Sequence, residues 1–244
     1  MTIAPASRPG PLTFDPVAVG RAECAAWAAY YRREWVPFLR SAVTMVRAGF
    51  GMPWPRTVLG AWWVLRANQL WAPFPDNDPD GARAAMGRFY RLVVRSGWSG
   101  FDPVRAAALE VQWWRVHREH QHDAGGTERE LVDALCALYA YVYGLPDSVV
   151  RPAAALRVAA MDASDRWVAA GCATDDPLLA RERRLLVASF SALRDAVDRR
   201  PDRADRCGPD LPSGPGQAST GRPPRASTDS GGTPSSAVAG SGTV

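Results

Sequence analysis

The sequence lacks lysine altogether, and this absence removes several kinds of chemistry. All 29 basic residues are arginine. Without lysine the chain can neither form a Schiff base nor supply the lysine of a P-loop nucleotide site. The four cysteines are also far apart in sequence, so no local pair of thiols predicts a zinc or redox site.

Long runs of basic or apolar residues are missing as well. The net charge is +4, but no run of arginines reaches five, and acidic residues alternate with them, as in residues 181–183. This mixture predicts a solvated surface and does not favour nucleic-acid binding. The longest strongly apolar stretch, residues 57–65, is far shorter than the ~20 residues that span a bilayer.

The start of the chain lacks the apolar core of a secretory signal. We therefore expect a cytoplasmic protein with reduced thiols and no membrane association.

Composition divides the chain into three parts. Residues 1–14 predict a flexible N-terminal segment, and residues 15–200 a globular domain. In residues 201–244, Pro, Gly, Ser and Thr make up 26 of the 44 residues. Such a segment buries too little apolar surface to offset its ordering entropy, so we expect it to be disordered.

Helix signals dominate the predicted domain. Asp-Pro, a pair that suits the N-cap and first position of a helix, occurs at residues 15–16, 78–79, 102–103 and 176–177. Apolar residues recur three and four apart, and no segment alternates as a strand. The sequence predicts an all-α, irregular bundle of about seven helices, at residues 16–49, 55–71, 79–96, 103–122, 128–143, 147–170 and 177–199.

The fourth predicted helix carries a candidate metal site. Glu110 and His117 are seven residues apart and share one helix face, with Trp114 between them. This Glu-x6-His spacing resembles the first ligand pair of haem-oxygenase-like di-iron oxidases. With Glu34 from the first helix, Glu110 and His117 form a candidate ligand set for a divalent metal, although nothing in the sequence requires a cofactor. Alternatively, His117 satisfies carbonyls at the helix end and Glu110 pairs with an arginine.

Polar residues are mixed with aromatic and apolar ones on faces of the first, second and sixth predicted helices, and Trp114 lies on the fourth. Buried charges are costly unless they are paired. These residues therefore predict either an internal network of ion pairs or a ligand pocket with tryptophan walls. They are Trp62, Arg66, Gln69, Trp114, Asp162, Asp165 and Arg166.

Three classes of function remain open. The sequence contains no glycine-rich phosphate loop, no Gly-x-Ser-x-Gly elbow and no His-Glu-x-x-His motif. We therefore favour a helical domain that binds a small molecule or a protein partner. The alternatives are an oxidase-like bundle metalloenzyme and a regulator or adaptor.

Overall fold

The computed structural model describes residues 11–98, 100–122 and 125–200. Within these ranges it contains eight α-helices and no strand, which confirms the predicted all-α class. The helices are α1 Pro16–Tyr31, α2 Trp35–Phe50, α3 Trp54–Trp71, α4 Pro79–Arg95, α5 Pro103–Gln121, α6 Glu128–Tyr143, α7 Asp147–Ala169 and α8 Pro177–Asp198. Residues 1–10 of the predicted N-terminal segment and the tail predicted for residues 201–244 lie outside the described residues.

Capping residues determine where many of these helices begin. Asp15, Asp78, Asp102 and Asp176 each accept backbone N–H groups from the first turn that follows, as the Asp-Pro pairs predict. Thr127 and Glu130 form a reciprocal capping box at the start of α6. The helices α3 to α8 begin and end within one residue of the predicted bounds, and α4, α5, α6 and α8 each have such a cap.

The prediction of one long helix at residues 16–49 is wrong, because this segment forms two helices, α1 and α2, with a turn between them. Arg33 adopts the left-handed conformation, with φ of 58°. The amide of Glu34 then donates to the carbonyl of Ala29 at 2.8 Å, which ends α1. The overlooked signal is Pro37, because its ring would clash with the carbonyl four residues earlier and it has no N–H to donate there.

The eight helices form a closed ring. Each helix packs against its neighbours along the chain, and α8 packs back against α1. The α1–α8 contact is close at Gly20, where an added Cβ would lie 2.7 Å from the backbone nitrogen of Val187. None of the helices in the described ranges is both long enough and apolar enough to cross a membrane.

Candidate functional site

A cavity of about 340 Å³ lies inside the ring, and all eight helices contribute to its wall. Aromatic side chains dominate the lining, among them Trp27, Tyr30, Trp71, Phe89, Trp113 and Trp114. Proteins bind small molecules in cavities of roughly 300–1,000 Å³ with mostly apolar walls and a few placed polar groups. The size and lining of this cavity match that description.

The cavity opens at one end of the ring. Among its lining residues only Arg33, Phe74 and His122 are exposed, and they follow the C-terminal ends of α1, α3 and α5. Phe74 stacks on the imidazole of His122, with ring centroids 4.3 Å apart and the planes nearly parallel. At the other end Phe14 and Phe190 are buried and pack edge to face. A molecule would therefore enter between Arg33, Phe74 and His122, which we call the mouth.

A buried ion pair lies in the cavity wall. Arg157 on α7 donates to the carboxylate of Glu23 on α1, and also to the hydroxyl of Tyr139 at 2.9 Å. Burial alone would lower the pKa of Arg157, but Glu23, Tyr139 and Glu110 together raise it, so the guanidinium stays charged. Four aromatic rings lie within 5.0–5.9 Å of this guanidinium, those of Trp27, Trp113, Tyr139 and Phe190.

Glu110 is the second polar group deep in the cavity. Its carboxylate accepts hydrogen bonds from the hydroxyl of Tyr90 at 2.7 Å and from the indole N–H of Trp113 at 3.1 Å. Burial, together with the Glu110 charge, raises the pKa of Tyr90 well above its usual value. Tyr90 is therefore a permanent donor, and Glu110 is an anchored anion in the lining.

Two further arginines lie at the mouth. Arg33 donates to the carbonyl of Ala72 at 2.9 Å, and Arg118 donates to the carbonyl of Trp71 at 2.8 Å. Arg118 also donates to the hydroxyl of Tyr30 at 3.1 Å. Neither guanidinium forms a salt bridge with a carboxylate in the described ranges.

The predicted metal ligands are not brought together. Glu110 and His117 both line the cavity, but Glu34 lies after the break at Arg33 and pairs with Arg32 at 2.7 Å. The described residues contain no group of three or more His, Cys, Asp or Glu that could hold a metal ion. The turn at Arg33 ends α1 before Glu34. Glu34 therefore does not lie on the helix face where a continuous helix would have placed it.

The predicted pocket residues on α5 and on α3 differ in position. Trp114 lines the cavity. Trp62 instead lies on the outer surface of α3 and is 45% exposed. Arg66 donates to Gln69 at 2.6 Å, one turn along the same helix, so this pair is local to α3.

On α7, one of the three predicted polar residues contacts the cavity lining. Asp165 accepts a hydrogen bond from Gln121 and lies 3.2 Å from the Nε2 of His117, both of which are lining residues. Asp162 is half-buried and Arg166 is exposed, and neither lines the cavity. Of these three residues, Asp165 thus contacts the cavity lining, through two residues of α5.

The buried pair Glu23–Arg157 was missed, although the sequence contains a signal for it. Arg157 lies four residues from both Ala153 and Met161, on the apolar stripe of α7. Glu23 similarly lies four residues after Val19 on α1. Opposite charges on two apolar stripes predict a buried pair when the helices that carry them face each other.

No family model, curated protein sequence or solved structure matches this chain.

Proposed function

We propose that this protein binds a small, largely apolar molecule inside the helix ring. The cavity carries the proposal: it is about 340 Å³ in volume, whereas an apolar cavity of about 150 Å³ is enough to hold benzene. A molecule of two or three fused rings is therefore of suitable size.

The lining supports both affinity and orientation. Tryptophan and tyrosine rings offer large contact areas and stack on flat apolar groups. Glu110 and Arg157 are each fixed by hydrogen bonds to neighbouring side chains, so they present polar atoms in defined positions. Preorganised groups of this kind cost little to order when a ligand binds.

Binding of the neutral dye phenylnaphthylamine tests the proposal. We expect one dye per chain by titration calorimetry, with enhanced dye fluorescence. The variant Ala26→Phe places a ring inside the cavity, because Ala26 is a buried lining residue on α1. Its matched control is Ala25→Phe, the same change at an exposed neighbouring position.

We expect the dye to bind Ala25→Phe as it binds the unaltered protein, and to bind Ala26→Phe far more weakly. Ala26→Leu fills less of the space and serves if the larger side chain prevents folding, which circular dichroism would show. Equal binding by a folded Ala26 variant and its control would refute the proposal.

A further inference from the structure

We infer that the mouth of the cavity binds the anionic group of an otherwise apolar molecule, a carboxylate or a phosphate, between Arg33 and Arg118. The inference rests on the proposed function and adds the chemical class of the ligand. The apolar body would lie inward, against the aromatic walls.

Positive charge at the mouth lacks a balancing carboxylate. Arg33 and Arg118 form no salt bridge in the described part of the chain, and nearby acids are engaged elsewhere. Glu34 pairs with Arg32, and Asp165 contacts Gln121 across the α5–α7 contact. An anion between the two guanidinium groups would supply the missing charge.

The two guanidinium groups are close enough to repel each other. Burial lowers the pKa of Arg118, and the charge of Arg33 lowers it further. Like charges held together without a counter-ion are unfavourable, and a bound anion relieves that repulsion.

Hydrogen bonds hold both arginines in place. Each donates to a carbonyl at the C-terminal end of α3, that of Trp71 or that of Ala72. A guanidinium has five N–H donors, so each arginine keeps donors for a carboxylate or phosphate, which it binds as a fork. Arg33 is held there by a left-handed backbone, which residues other than glycine, asparagine and aspartate adopt rarely.

The interior of the cavity disfavours an anion. Arg157 is already neutralised by Glu23, and Glu110 adds a negative charge to the lining. Rings of Tyr30 and Trp71 lie beside Arg118 at the mouth. Positive charge without a carboxylate partner thus lies at the mouth and not in the interior, so an amphiphilic acid binds with its anionic group outermost.

Two dyes with the same ring skeleton test this inference. Anilinonaphthalene sulfonate carries an anionic group that phenylnaphthylamine lacks. We expect the sulfonate dye to bind more tightly, and each of Arg33→Asn and Arg118→Gln to weaken it about tenfold, the effect of one charge-assisted hydrogen bond. Both changes should weaken the neutral dye clearly less than the sulfonate dye, because the neutral dye carries no charge for the guanidinium to pair with.

Two controls separate the mouth from general effects of charge. Arg95→Gln removes an exposed arginine at the C-terminal end of α4 and should change neither affinity. Arg118→Lys keeps the charge but loses the fork of N–H donors, so its sulfonate affinity should lie between those of Arg118→Gln and the unaltered protein. Added salt should weaken only the sulfonate dye.

The outcomes distinguish this inference from the proposed function. If the neutral dye binds as tightly as the sulfonate, or if Arg33→Asn and Arg118→Gln weaken both dyes equally, the anion site is refuted while the cavity stands. If neither dye binds, the proposed function fails and the inference fails with it.

Displacement of the neutral dye identifies the anion. Naphthoate and naphthyl phosphate carry the two candidate groups on one ring system, and naphthalenemethanol is their neutral counterpart. Tighter competition by either anion than by the alcohol supports the inference, and the stronger of the two gives the class. Equal competition by the alcohol overturns it.

Discussion

Glu182 on α8 offers the sharpest test of how the helices pack. It is fully buried, and neither carboxyl oxygen has a hydrogen-bond partner in the described residues. Burial raises the pKa of Glu182 from 4.5 to about 8, although the nearby thiol of Cys24 and hydroxyl of Ser164 act in the opposite direction. The folded protein therefore holds a proton at neutral pH that the unfolded chain releases.

The size of the effect follows from linkage. Because the folded pKa is raised, the free energy of unfolding is highest below pH 4.5 and falls as the pH rises toward 8. Between the two pKa values, each pH unit lowers the free energy of unfolding by about 1.4 kcal/mol. At pH 7 the free energy of unfolding is therefore about 3 kcal/mol lower than it is at low pH. Glu182 contributes this slope because its carboxyl group takes up one proton on folding.

The substitution Glu182→Gln removes the titration and keeps the shape of the side chain. Urea unfolding at several pH values between 5 and 8 measures the slope. As the pH rises, the free energy of unfolding should fall by about 1.4 kcal/mol less per pH unit in the variant than in the unaltered protein. An unpaired buried amide costs about 1–3 kcal/mol at every pH, so the slope and not the absolute stability is diagnostic.

A control shows whether burial is the cause. Glu119→Gln removes a carboxylate that pairs with Arg115 on the outer part of α5, where a salt bridge contributes little. The control should keep the pH slope of the unaltered protein. Identical slopes for Glu182→Gln and the unaltered protein would refute the raised pKa and the burial argument behind it.

Two other predictions concern the ring. Glu23→Gln should destabilise the fold by about 3–5 kcal/mol in urea unfolding, because it leaves Arg157 without its buried counter-charge. The double variant with Arg157→Met should recover part of that loss, and a simple sum of the single effects would contradict the pairing. Gly20→Ala should cost about 1–3 kcal/mol, since its Cβ would meet the backbone of α8. Gly49→Ala, whose Cβ has only an ordinary contact at 3.7 Å, should instead gain up to about 1 kcal/mol, and equal effects would sink the argument.

The helices could be predicted because their ends depend on local chemistry. Asp102 begins α5 and Thr127 begins α6 through hydrogen bonds to groups three residues away. The same reasoning fails at Arg33, because the apolar periodicity continues through Pro37 whereas the Pro37 ring would clash with the carbonyl four residues earlier in a continuous helix. Local signals therefore predict helices well only when every breaker is weighed.

The candidate site could be predicted only in part, since it depends on which helices meet. Glu110, Trp114 and His117 share one helix face, and that face does line the cavity. No helical wheel shows that Glu23 faces Arg157, because 133 residues separate them and their meeting depends on how α1 and α7 are arranged in the ring. Long-range contacts of this kind leave only a weak trace in a single sequence, a charge within an apolar stripe.

Closure of the ring accounts for the cavity. Neighbouring helices pack with axes about 9 Å apart, so eight of them around a circle would span about 24 Å. A helix with its side chains is only about 10–12 Å in diameter, so opposing side chains cannot fill the middle of such a ring completely. Tryptophan and tyrosine reach furthest inward, and about 340 Å³ still remains. The α1–α8 contact at Gly20 closes this ring, so Gly20→Ala should weaken dye binding as well as stability, whereas Glu182→Gln, outside the lining, should change stability alone.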